Sequence, residues 1–177
     1  MNKKLQIGII GSAGTEEYPK AGQPKQEIFN IAYQLGKSIA KNGAILITGG
    51  KGGIMEYAAK GAKDVGGITV GVVKGEKRFT SNQYTDIEVV SGMVGSGGES
   101  IMVLMCDGIV GVGGGSGTLQ ELTIAYYNKI PTVLINTQKG WSKTLAGKYL
   151  DTRKKIKFQS AKTPEKAVKI LFNLIRP

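Results

Sequence analysis

Near the middle of the chain stands "DGIVGVGGGSGTLQE", Asp107 to Glu121, in which five of the seven residues Gly111 to Gly117 are glycine. A turn of this composition, between an apolar run and a helix-forming run, lets backbone N–H groups approach a phosphate because few side chains stand in the way. The run ends on a carboxylate, Glu121, which has two readings. It could act on a bound ligand. It could also complete the capping-box pattern T-x-x-E with Thr118, a purely structural use. Ser116 and Thr118 offer hydroxyl donors beside the same turn, and either could cap the helix that opens there.

Three more glycine turns occur at comparable places: "GSAG" from Gly11, "TGGKGG" from Thr48 and "GSGG" from Gly95. Each taken alone has a plain reading, since glycine is common in tight strand-to-helix turns. No G-x-G-x-x-G fingerprint follows the first apolar run, and "GKGG" is not a Walker A loop. The convergence of four turns carries the functional reading. The candidate binding set is Gly11, Ser12, Gly14, Gly49, Gly50, Gly53, Gly97, Gly98, Gly114, Gly115, Ser116, Gly117 and Thr118. Lys51 adds a charged contact for a phosphate, although a surface lysine is an equal reading, and Met55 lines either a pocket or the core. Glu121 is catalytic only if the protein is an enzyme.

These turns need a scaffold that brings them to one edge. Strand-like and helix-like runs alternate along the chain: "LQIGII", "QEIFNIAYQLGKSIAKNG", "AILITGG", "KGGIMEYAAKGAKDVGG", "ITVGVV", "TDIEVVSG", "GSGGESIMVLMCDG", "IVGVGGGSG", "TLQELTIAYYNKI", "PTVLIN". Continuously apolar strands separated by helices predict a mostly parallel sheet covered on both faces. The fold expected is doubly wound, Rossmann-like α/β in three layers, with residues 1–177 as one domain. In such sheets ligands bind at the carboxyl ends of the strands, where all four turns fall. Toward the C-terminus the pattern predicts a helix around Trp141 to Tyr149 and a short strand at Ile156 to Phe158. A last helix then opens on Thr163 as N-cap with Pro164 at the first helical position.

Composition excludes several chemistries. The 177-residue chain contains no histidine, which removes Ser-His-Asp and Cys-His catalysis and most zinc sites; no metal site is expected. The single cysteine, Cys106, lies in an apolar run, without a base, and fits a reduced, cytoplasmic setting. No apolar run approaches the ~20 residues that span a bilayer. The formal net charge of +11 attracts anions in general, but aromatic residues make up only 7% and do not interleave with the basic segments, which disfavours a nucleic-acid platform. The segments "IMVLMC" and "LTIAYYNKI" are apolar over more than one helical face, which suits burial between subunits and predicts a homo-oligomer, a dimer or tetramer.

On its motifs the chain resembles the LOG-like, "lysine decarboxylase-like" Rossmann proteins. Their P-G-G-x-G-T-x-x-E loop is matched by "GGGSGTLQE", with Gly113 where proline is usual. Their G-G-G-x-x-G-[LI]-M element is matched by "TGGKGGIM" from Thr48. The group includes phosphoribohydrolases, which split the N-glycosidic bond of a nucleoside 5′-monophosphate, and molybdenum-cofactor carriers, which bind a phosphate-bearing pterin without turning it over. The hydrolases carry an Arg-Lys pair at positions corresponding to Gly98 and Glu99, so both cations are missing from this chain. Cleavage through an oxocarbenium-like state needs a carboxylate and a partner that holds phosphate and base in line. The resemblance therefore implies a binding protein for a nucleotide-like, phosphate-bearing ligand, a molybdopterin-type cofactor or a nucleoside monophosphate. A phosphoribohydrolase using Glu121 is the alternative, and nothing marks the Schiff-base lysine of a decarboxylase.

Overall fold

The computed structural model describes residues 3–13, 25–94 and 97–175. Its elements in chain order are β1 (Gln6–Gly11), α1 (Lys25–Lys41), β2 (Ile45–Thr48), α2 (Ile54–Lys63), β3 (Thr69–Val73), β4 (Ile87–Val90) and α3 (Gly97–Leu104). They continue with β5 (Gly108–Val112), α4 (Ser116–Tyr127), β6 (Thr132–Ile135), α5 (Trp141–Leu145), β7 (Gln159–Ala161) and α6 (Pro164–Ile175). The seven strands form one sheet in the order β4-β3-β2-β1-β5-β6-β7. Every strand pairing in it is parallel. This is the doubly wound Rossmann-like architecture that the alternating pattern predicts.

The central strands β3, β5 and β6 are buried along their whole length. Such strands need helices on both faces, and their Cβ atoms alternate between the two. Ile9 faces the core built with α1, α2 and α6, which includes Leu35, Ala58 and Leu171. The next residue, Ile10, faces the core built with α3, α4 and α5, which includes Met102, Leu122 and Leu145. Each fully buried aliphatic side chain contributes roughly 1.5–3 kcal/mol. The pair α1 and α2 is packed unusually close. A Cβ added at Gly36 would lie 1.9 Å from the carbonyl oxygen of Ala58, and one at Gly61 would lie 2.0 Å from that of Tyr33. Side chains there would push the helices apart.

The chain runs from β1 outward to β4 and then returns past β1 to β5, so the order reverses between β1 and β5. A crevice opens at such a switch point. Its floor is the pairing of Gly11 with Val112. A Cβ at Gly11 would fall 2.1 Å from the carbonyl oxygen of Val112.

The C-terminal third departs from the expected boundaries. The helix beginning at Trp141 ends at Leu145 rather than Tyr149, and Gly147 turns the chain with a φ of 76°. The strand falls on Gln159–Ala161 rather than Ile156–Phe158. Phe158 is fully buried, but its backbone pairs with residues 147 and 148 instead of the sheet. Its apolar character marked the core, not the strand. At the last helix the Lys166 N–H donates to Thr163 Oγ1 at 3.3 Å, so Thr163 is the N-cap. Cys106 is buried against Gly8, and its thiol donates to the Met102 carbonyl at 3.1 Å. Burial raises its pKa strongly, with Asp107 and Glu121 adding to the effect, so it is an inert core thiol. Among the described residues no helix is long and apolar enough to cross a membrane.

Candidate ligand-binding site

At the carboxyl ends of the strands lies a cleft of about 270 Å³. Gly11 and Ala13 line it after β1, Gly49, Lys51 and Met55 after β2, and Val72 and Lys74 at the end of β3. Gly98, Glu99 and Met102 of α3 and Gly117, Thr118 and Glu121 of α4 complete the wall. Described residues from all four glycine turns therefore line one cavity.

Distinct contacts hold the turns after β1, β2 and β5. Gly53 has φ 66° and ψ −138°, a conformation essentially confined to glycine. Its α-carbon is pressed against the carbonyls of Ser12 and Ala13, where a Cβ would lie 2.8 Å from both oxygens. The Ile54 N–H donates to the Ser12 carbonyl at 3.3 Å, so the first two turns are clasped together. Gly50, also at positive φ, has its N–H taken by Thr48 Oγ1 at 3.1 Å and is not free for an anion. Gly114 has φ 91°, and a Cβ there would overlap the Thr118 side chain. The carbonyls of Gly113 and Gly114 accept from the N–H groups of Ser142 and Trp141, which seats α5 on this loop.

The helix after β5 starts at Ser116 with Gly115 as N-cap, and no side chain caps it. This corrects the capping reading: neither Ser116 nor Thr118 is the N-cap, so the capping box with Glu121 does not form. Thr118 sits buried in the first turn, and Glu121 faces the cleft about 6 Å further along the axis from Gly117. The first-turn N–H groups of a helix lack intrahelical partners and carry the positive end of its dipole. A Cβ at Gly117 would meet nothing within 4 Å. The space that a side chain at Gly117 would fill is open.

Of the candidate residues, Gly11, Gly49, Lys51, Met55, Gly98, Gly117, Thr118 and Glu121 line the cleft, while Ser12, Gly50, Gly53, Gly97, Gly114, Gly115 and Ser116 stand behind it or outside it. Gly14 falls outside the described residues. Lys51 Nζ donates one of its three ammonium hydrogens to the Thr80 carbonyl at 3.0 Å, while Asn82 Nδ2 donates to the Lys51 carbonyl at 2.9 Å. That pairing ties the turn after β2 to the segment between β3 and β4. Glu88 steadies the same segment by accepting from the N–H groups of Phe79, Thr80 and Ser81.

Sequence reasoning missed an ion pair on the cleft wall, Lys74 with Glu99. Lys74 pairs with Glu99 Oε1, and the Glu99 side chain is only 10% exposed. Glu99 Oε2 is buried without a hydrogen-bond partner. Glu121 faces the same cleft, and burial pushes its pKa up to about 8; the charge of Glu99 pushes it further and Lys74 opposes. Near neutral pH Glu121 is largely protonated and can donate a hydrogen bond. The position of Lys74 directly after an apolar strand was the available signal. Glu99 was visible only as a departure from the hydrolase pattern.

Known proteins share both fold and sequence with this chain. An uncharacterised protein of Archaeoglobus fulgidus is 41% identical over 123 residues, which cover 70% of this chain and 74% of that protein. The molybdenum cofactor binding protein of Rippkaea orientalis superposes with a TM-score of 0.82 at 30% identity, covering 98% of each chain. The molybdenum cofactor carrier protein of Chlamydomonas reinhardtii gives 0.77 at 31% identity, covering 97% of this chain and 99% of that one. The model of the SLOG cluster4 family matches residues 4–168, nearly the whole length, and the chain belongs to that family.

Proposed function

We propose that the protein binds a phosphate-bearing, nucleotide-like small molecule, of the class that includes molybdopterin-type cofactors, and carries it without cleaving it. The observation that supports this most directly is that the start of α4, at Gly117, and the carboxyl groups of Glu99 and Glu121 line one cleft. Backbone donors at a helix start suit a phosphate, and buried polar side chains suit the hydrogen-bonding edge of a ring. The two molybdenum-cofactor proteins of similar fold point to the same class of ligand. The cleft is at the small end for cofactor sites, which suits a ligand held by one end and one edge.

The experiment is a thermal melt of the purified chain with molybdopterin, GMP and AMP. A ligand at 100 times its dissociation constant stabilises by about 2.7 kcal/mol, a readily measured rise in Tm. No rise with any of the three at millimolar concentration would refute the proposal.

The hydrolase reading keeps Glu121 and loses its partner. Where hydrolases of similar pattern carry Arg-Lys, this chain has Gly98 and Glu99, and a second carboxylate cannot hold a phosphate in line. Incubation with AMP and GMP is expected to release no free base; release abolished by Glu121→Gln would establish the hydrolase instead. A homo-oligomer is part of the proposal. Leu104 of α3 and Tyr127 of α4 are 57% and 60% exposed, apolar surface that a second copy would cover. Light scattering is expected to give a multiple of 18.8 kDa.

A further inference from the structure

The loop between α5 and β7 contributes nothing to the cleft, yet the C-terminal part of the chain to which it belongs carries much of the charge. Residues 139–177 hold eleven of the 24 lysines and arginines but two of the 13 acids. Within the loop Lys148, Arg153, Lys154 and Lys157 are exposed. Arg153 is tied to Asp151, and Lys155 Nζ lies 3.6 Å from the centre of the Tyr127 ring, which leaves Lys148, Lys154 and Lys157 to meet a partner. Several contacts hold the loop in shape. Tyr126, buried in α4, donates its hydroxyl hydrogen to Asp151 and accepts from the Lys155 N–H at 3.0 Å. The Lys154 N–H donates to the Asp151 carbonyl at 3.3 Å, with Lys154 at φ 49°. Tyr149 and Lys157 form an antiparallel bridge, so their side chains share one face.

We infer that this loop is a docking surface for single-stranded nucleic acid, with Lys148, Lys154 and Lys157 on phosphates and the Tyr149 ring as a platform for one base. Composition alone counts against such a platform, because few rings stand among the basic residues. The fold supplies what the composition hides, by setting Tyr149, 41% exposed, across the bridge from Lys157. Stacking on a ring beside cations holds single strands without reading their sequence, whereas a duplex hides its base faces. An anionic bilayer would need apolar side chains, but Leu150 and Ile156 pack against the core. Protein interfaces are depleted in lysine and favour arginine, and the arginine of this loop is taken by Asp151. A second copy meeting the loop with its own would set lysine against lysine. The loop feeds the amino end of β7 and leans on the C-terminal end of α4, so it lies at the opposite end of the sheet from the cleft. The inference therefore stands independently of the proposed ligand.

The test follows binding of a labelled oligothymidine strand of roughly 15 nucleotides to the full chain by fluorescence anisotropy, from about 50 to 200 mM salt. Three phosphate contacts predict a slope of about −2 for log affinity against log salt. Replacing the three lysines together, by Lys148→Gln, Lys154→Asn and Lys157→Gln, should bring that slope close to zero and weaken binding at low salt at least about tenfold. Lys41→Gln, Lys166→Gln and Lys169→Gln together remove the same charge from α1 and α6, and affinity should stay within about threefold of wild type. Tyr149→Ala should weaken binding about fivefold or more and leave the salt slope unchanged. Failure of the wild-type chain to bind the strand at low salt overturns the inference. So does equal or tighter binding of a duplex of the same length, of polyglutamate or of phosphatidylserine–phosphatidylcholine vesicles. A control triple variant that loses as much affinity as the loop variant overturns it too, as does a loop variant whose mass by light scattering falls below that of wild type. The wild-type comparison of strand, duplex, polyglutamate and vesicles decides the matter even if a variant fails to fold.

Discussion

The turn after β2 and the turn after β5 look alike in sequence, "TGGKGG" against "GGGSGT", yet glycine is used differently in each. At Gly53 the absent side chain is required by the protein itself, because the backbone is at positive φ and pressed on the carbonyls of Ser12 and Ala13. At Gly117 nothing in the protein requires it: φ is ordinary helical and the neighbouring space is open. A helix normally loses stability to a glycine in its first turns. A glycine that costs stability and relieves no contact within the protein fits the proposed reading, in which a ligand comes close there.

That contrast can be broken in three ways. Gly53→Ala should lower stability by about 3 kcal/mol, because alanine must leave a conformation nearly closed to it. Chemical denaturation would measure this, and an unchanged midpoint would place Gly53 with Gly117 rather than against it. The next effect belongs to Glu121, one helical turn beyond Gly117. Its folded-state pKa of about 8 lies above the ordinary value of 4.5. Between those values the folded chain holds a proton that the unfolded chain releases, so stability declines as pH rises through this window and levels off above it. The slope is at most ~1.4 kcal/mol per pH unit, and partial exposure of the residue reduces the decline to about 2 kcal/mol between pH 5 and 8. Glu121→Gln should flatten that decline; a variant with the wild-type slope would remove Glu121 as its source. The smallest effect is at Gly117→Ala, which should raise stability by up to about 1 kcal/mol while weakening phosphate-ligand binding. Stabilisation without loss of binding would show that the space beside Gly117 is not used.

The fold was largely legible because the sheet is parallel and buried, so its strands announce themselves as short apolar runs between amphipathic helices. Legibility failed at one sheet edge, β7, although the other edge strand, β4, was read from "TDIEVVSG". "QSA" has almost no apolar signal, whereas Phe158 beside it is apolar for reasons of packing. The glycine turns were legible as a set but not individually: composition cannot distinguish Gly50, whose amide is taken by Thr48, from Gly49 on the cleft wall. The capping box failed because the sequence offers a pattern at Thr118, while the backbone starts its helix two residues earlier, at Ser116. The meeting of Lys74, Glu99 and Glu121 was not legible at all. These residues come from a strand end and two helices far apart in sequence, and only the fold makes them neighbours.

The close crossing of α1 and α2 extends the map of sensitive positions well beyond the cleft. Helix α2 begins at the clasp made by Gly53, so a wedge between the two helices would be felt at the rim as a lever feels a push at its other arm. Gly36, on a helix that contributes no wall to the cavity, is therefore where a random screen for lost binding should return hits that no inspection of the cavity alone would nominate.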